Sequence, residues 1–180
     1  MKNEKTKKLV TLSLFAAIIV VLQIIATFVN FGGFPITLTL VPIIVAGAIY
    51  GPLTGGVMGL VFGSIVDVMV LTGLDPSGAT MLSMHPIITM SLCLIKGCLA
   101  GLISGLAYKL IANKKVAIFV AAFLAPVVNT SVFFIGLILF FDAGFTALIA
   151  GLTSINFIIE LVIDILLAPG ILRIINMRKK

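Results

Sequence analysis

Charge is scarce in this chain. Only 10% of its 180 residues are Asp, Glu, Lys or Arg, whereas a soluble domain carries nearer a quarter. Such a composition cannot furnish a wetted surface all round, which excludes an ordinary soluble enzyme. Tryptophan is absent and tyrosine occurs twice, so the aromatic belt that marks membrane interfaces is thin. Span limits must then come from charges and from Gly and Pro breaks. One histidine and two cysteines are too few for a metal centre. Cys93 and Cys98, five residues apart, fall on different faces of a helix, so no disulfide is expected and both read as small apolar fillers. There is no GxSxG, no HExxH and no Walker A glycine loop, so neither a hydrolytic nucleophile nor an ATP site is encoded. Any uphill movement of a solute must draw its energy from another subunit or from an ion gradient.

What the chain has instead is apolar length. Hydrophobic residues make up 61% of it, and a helix needs roughly 20 of them in a row to cross the hydrocarbon core. The breaks divide residues 1–180 into one all-α membrane domain of six helices, at 9–29, 36–50, 53–72, 86–109, 116–140 and 151–175. The first run, behind Lys2, Lys5, Lys7 and Lys8, is too long for the apolar part of a signal peptide and is retained as a spanning helix. The second is short and contains Pro42, so it should be tilted or partly unwound at its outer end, near Thr37 and Thr39. In the third, Gly55, Gly59 and Gly63 recur every fourth residue, a face that lets another backbone approach closely. The fourth repeats the pattern with Cys93, Gly97, Gly101 and Gly105. Between them, GLDPSGATMLSMH (Gly73 to His85) reads as the longest polar connection, with a turn at Asp-Pro-Ser-Gly. Residues 141–150 read as a loop.

The basic residues orient the bundle. Of 12 Lys and Arg, 11 lie at the two ends of the chain or in the link from Lys109 to Lys115, and the loops on the opposite side contain none. The positive-inside rule then puts both termini in the cytoplasm. The net charge of +6 is accounted for by membrane orientation, and no nucleic-acid partner is implied.

The twelfth cation, Lys96, lies within an apolar span, where an unpaired ammonium costs a few kcal/mol or more; it must face protein or water. At about 1.5 Å per residue, Lys96, Asn129 and Glu160 all come about 15 Å below the outer surface on three different helices. Asn156, Glu160 and Asp164 recur at i, i+4 and i+8 along the last helix. Gln23, Asp67 and Thr39 add polar groups in the outer halves of others. The set describes a pocket opening outward. A bland alternative stands beside it: a structural Lys96–Glu160 ion pair, Asn129 satisfying carbonyls freed by Pro126, and His85 an interface residue at the rim.

The runs FPITLTLVPIIVAGAIYGPLTGGVMGLVFG, LIKGCLAGLISGLAYK and APVVNTSVFFIG resemble the substrate-binding S components of energy-coupling factor (ECF) vitamin transporters, in the group that includes the pantothenate, cobalamin and riboflavin binders. The likeness covers nearly the whole chain. It implies a six-helix bundle in the bacterial cell membrane that captures a vitamin with its outer loops, Asn30 to Pro35 and Gly73 to His85, and its last three helices. It further implies partnership with a transmembrane coupling subunit and two cytoplasmic ATPases, and no cofactor. Members use an Ala-xxx-Ala pattern on the first helix to meet the coupling subunit; the matching residues here are Ser13 and Ala17, with Ala16 alongside. The uncharged ITLTLVPI run looks more like the pantothenate binders than the riboflavin binders, and a pocket lysine suits a carboxylate. Two other classes remain open: an ion-coupled carrier working through Glu160 and Asp164, and a membrane scaffold using only its glycine faces.

Overall fold

The structure, a computed structural model, describes residues 2–28, 30–31, 34–35 and 38–178. Seven helices follow in order: α1 (Lys2–Phe28), α2 (Leu40–Tyr50), α3 (Pro52–Leu71), α4 (Pro76–Met84), α5 (Pro86–Leu110), α6 (Lys114–Phe140) and α7 (Ala143–Arg178). Between α1 and α2, β1 (Asn30–Phe31) pairs antiparallel with β2 (Phe34–Pro35), Asn30 opposite Pro35. Four helical stretches, Lys5–Ala26, Pro52–Leu71, Pro86–Leu110 and Lys114–Phe140, are long and apolar enough to cross a membrane.

The first helix starts at Lys2 and not at residue 9, so the basic segment is helical too. Three further differences have local reasons. The segment read as a polar connection holds a nine-residue helix, α4. Asp75 takes the extended conformation of an N-cap and accepts a hydrogen bond from Gly78 N at 3.0 Å, and Pro76 occupies the first helical turn, where its missing N–H costs nothing. The last helix starts at Ala143, not at residue 151, so most of the stretch read as a loop is helical. In α2, Pro42 is the third residue and lies in the first turn, so it interrupts no backbone hydrogen bond. Thr37, expected at the outer end of that helix, lies outside the described residues.

α5 is the hub. It packs most extensively on α3 and next on α6, while α6 packs on α7. The α3–α5 contact is a glycine seam: a Cβ on Gly59 would fall on the Gly97 carbonyl oxygen, one on Gly55 would meet the Gly101 carbonyl, and one on Gly63 would lie 2.6 Å from the Cys93 carbonyl oxygen. Only glycine permits backbones this close, and in lipid such packing is what holds helices together. Across the bundle, α1 is the loosest member. Only 17% of its apolar stretch is buried, against 61% for α3.

At the end of the bundle opposite α4, Lys114 Nζ donates to the carbonyls of Tyr108 (2.9 Å) and Ile111 (2.8 Å) and stands over the Tyr108 ring, closing the C-terminal turn of α5. Asn113 then accepts from Lys115 N and Val116 N and starts α6. At the α4 end, His85 meets Phe141 edge to face at 5.3 Å, and Phe141 stacks on Phe145. This links the α4–α5 corner to the α6–α7 corner. His85 acts there as a packing residue.

Candidate functional site

A cavity lies among α1, α3, α4, α5, α6 and α7. Phe62, Val66 and Val70 of α3, Met81 of α4, Phe133 of α6 and Phe157 of α7 give it apolar walls. Gln23, Asp75, Thr89, Lys96, Asn129, Thr130, Thr153, Asn156 and Glu160 bring polar groups into it. About 90 Å³ is open to the centres of water molecules. One water needs roughly 10–15 Å³ of such space, so the cavity takes several waters or an organic solute of similar bulk.

Five of the residues singled out from the sequence therefore meet at one cavity: Gln23, Lys96, Asn129, Asn156 and Glu160. Two others do not line it. Thr39, fully buried at the N-cap of α2, makes no side-chain cap hydrogen bond. Asp164 is fully buried too, with neither carboxylate oxygen hydrogen-bonded among the described residues. Helix geometry explains its absence. Each residue turns the helix by about 100°, so the step from Asn156 to Asp164 rotates the side chain by about 80° and carries it about 12 Å along the axis. Asn156 and Glu160 share the cavity face, and Asp164 has turned off it.

Lys96 is half-buried, and its Nζ stands 4.8 Å from the centroid of the Phe133 ring, within cation–π range. Its neighbour Gly97 faces the other way, into the seam with Gly59. The seam thus fixes the depth and rotation of α5, and with them the position of the ammonium. Around that ammonium, Glu160 is 6% and Asn129 8% exposed, buried enough that each unpaired polar atom needs an account. Asn129 Oδ1 and Thr153 Oγ1 have no hydrogen-bond partner among the described residues. Both residues line the cavity, where a polar solute would satisfy them.

Sequence reasoning missed Asp75, Thr89, Thr130 and Thr153. Asp75 belongs to the segment read as a turn, yet its carboxyl reaches the cavity wall while capping α4. Burial raises its pKa above the ordinary carboxylate value, against the opposing pull of the Gly78 N–H, the Lys96 charge and the Ser77 N–H. Thr130 directly follows Asn129 and was legible only as its neighbour. Cys93, itself part of the cavity wall, donates its thiol hydrogen to Asp67 behind it. Asp67 itself does not line the cavity.

Of the three small residues on α1, Ser13 and Ala17 are exposed and Ala16 is half-buried. They form no part of the cavity.

Fold and site together define a helical membrane protein built round a small-solute cavity. The chain matches the family described as "ECF transporter, substrate-specific component" over residues 7–172 and belongs to that family. It is also similar to the "Pantothenic acid transporter PanT" of Lactococcus lactis subsp. cremoris (strain MG1363), with 28% identity over 186 residues, covering 95% of this chain and 94% of that protein. No solved structure matches it significantly.

Proposed function

We propose that this chain is the vitamin-binding component of an ECF importer, that it crosses the bacterial cell membrane six times with both termini in the cytoplasm, and that its ligand is pantothenate. One observation carries the ligand assignment: a cavity inside an apolar bundle holds a single ammonium, Lys96, beside amide and hydroxyl side chains. Pantothenate offers a carboxylate, an amide, two hydroxyls and a gem-dimethyl group. In this reading Lys96 holds the carboxylate, Asn129, Asn156 and Thr153 bond the amide and hydroxyls, Glu160 accepts from a hydroxyl, and Phe62 and Phe157 receive the methyl groups. The likeness to a protein named as a pantothenic acid transporter supports the same choice.

Energy comes from partners, because the sequence encodes no nucleotide site. A transmembrane coupling subunit would dock on α1, where exposed Ser13 and Ala17 lie one turn apart with Ala16 alongside and allow close helix packing. Replacing Ser13 and Ala17 by Trp should abolish uptake in cells that supply the other subunits, while the isolated protein still binds solute. Uptake at the normal rate would move the docking face elsewhere. Uptake by this chain without any ATPase partner would favour an ion-coupled carrier, with the fully buried Asp164 as its natural centre.

The ligand is tested by mass spectrometry of small molecules released from the purified protein. Pantothenate is the expected species. A different vitamin would keep the class and replace the ligand, and a protein that neither carries nor binds any vitamin would contradict the proposal.

A further inference from the structure

The chain has six acidic residues. One of them, Glu4, belongs to the basic N-terminal segment of the sequence, and Asp142, at the α6–α7 corner, is not among the residues that line the cavity. The other four gather around it: Asp75 and Glu160 in its wall, Asp67 behind Cys93, and Asp164 one turn from Glu160. Facing them there is one cation, Lys96, since every other Lys and Arg lies towards the chain ends or the α5–α6 link. Gln23 of α1 and Asn129 and Thr130 of α6 bring no charge, and His85, at the exposed rim, packs on Phe141. The surroundings of Lys96 are thus rich in acid before any ligand arrives. A carboxylate ligand brings one more negative charge into a buried space, where like charges disfavour one another strongly.

We propose that Asp75 is a further ligand-facing residue of this cavity and that it takes a proton from solvent as an anionic ligand enters, so that the protein captures an anion together with a proton. This rests on the reading of the ligand as a carboxylate. Asp75 suits the role better than the other acids for reasons of position. It lies at the α4 end, outside the spanning segments that hold Asp67 and Lys96. One carboxyl oxygen is engaged as the α4 cap, accepting from Gly78 N at 3.0 Å. The other, Oδ2, lies over Gly78, at a place where a Cβ would come within 2.8 Å of it, and the carboxyl also accepts from the Ser77 N–H; a proton added to it leaves the Gly78 bond to Oδ1 in place. Its environment already leans towards the neutral form, because burial outweighs the N–H and Lys96 contributions.

The sign of the effect follows from linkage. If the complex holds one more proton than the free protein, affinity rises as pH falls, approaching about tenfold per pH unit for a whole proton. The probe is pantothenate, titrated calorimetrically into the full-length detergent-purified protein between about pH 8 and about pH 6, where the ligand itself stays ionised. Buffers of different ionisation enthalpy count the protons. Uptake of a substantial fraction of a proton and a matching increase in affinity are expected. Asp75→Asn keeps a side-chain oxygen for the cap and should flatten the pH dependence. Panthenol, the uncharged alcohol of the same skeleton, should bind without proton uptake. Binding with no pH slope in the unaltered protein overturns this inference alone, as does an undiminished slope in Asp75→Asn. Failure of pantothenate to bind at any pH, with the protein folded, overturns the ligand assignment and this inference with it.

Discussion

The two faces of α5 make a sharper contrast than any two helices do. On one, Gly97 and Gly101 press against Gly59 and Gly55 so closely that no side chain fits between the backbones. On the other, one residue away, Lys96 looks into a cavity where Asn129 Oδ1 and Thr153 Oγ1 have no partner among the described residues. The first face is made of backbone against backbone and offers no side chain for chemistry. The second holds polar groups that cost free energy until something occupies them. The lesson is that close packing and open polar space occupy different sides of one helix: the seam holds Lys96 at its depth, and the cavity beside it keeps polar groups that a solute could satisfy.

The contrast predicts a ranking of substitutions. The largest effect belongs to the seam. Gly59→Val would drive a side chain onto the Gly97 carbonyl, where only backbone stands in the way; a loss above about 3 kcal/mol is expected, read as little monodisperse protein in detergent. Gly56→Ala, three residues away, would put its Cβ at 3.5 Å from Leu102 Cβ, an ordinary contact, and should fold normally. Equal tolerance of both would remove the seam from the account.

Next comes the cavity face. Lys96→Met should leave a folded protein whose pantothenate affinity falls by two or more orders of magnitude, as losses of buried charge-assisted contacts of about 2–5 kcal/mol imply. Calorimetry checks the binding and a thermal melt checks the fold. Asn129→Ala removes one neutral hydrogen-bonding group and should cost about tenfold in affinity. Smallest of all is Asp164→Asn. Because Asp164 has turned off the cavity face, affinity should change less than about twofold, as for a residue without contact to the ligand. A large loss there would mean that α7 turns differently when ligand is bound.

Much of this arrangement was legible in the sequence because depth in a membrane helix is simple arithmetic. Counting residues from the Pro86 break and from the end of α6 brings Lys96 and Asn129 to one level, and both line the cavity. The family, too, was legible from the apolar and glycine runs. Rotation was harder. The i, i+4, i+8 rule treats Asn156, Glu160 and Asp164 as one stripe, but a helix of 3.6 residues per turn drifts, and by the third residue the drift decides the contact. Segment 73–85 failed for another reason. Asp-Pro-Ser-Gly is equally good as a turn and as an N-cap followed by a first-turn proline. What selects the helix is Met81, buried to 2% in the small core shared with Leu92 and Phe133, a contact no local pattern reveals. Asp75 was hidden by the same ambiguity. The loop expected at 141–150 is helical although it contains Gly144, and Thr146 Oγ1 closes the corner by donating to the Leu137 carbonyl at 3.2 Å.

The central claim, that the Lys96 ammonium in this cavity captures pantothenate, is tested most directly by titrating pantothenate into the purified protein and into a folded Lys96→Met variant. Saturable one-to-one binding by the first, with binding by the second weaker by two or more orders of magnitude, is the predicted result. Equal affinity in both, or no binding by the unaltered protein, would contradict it.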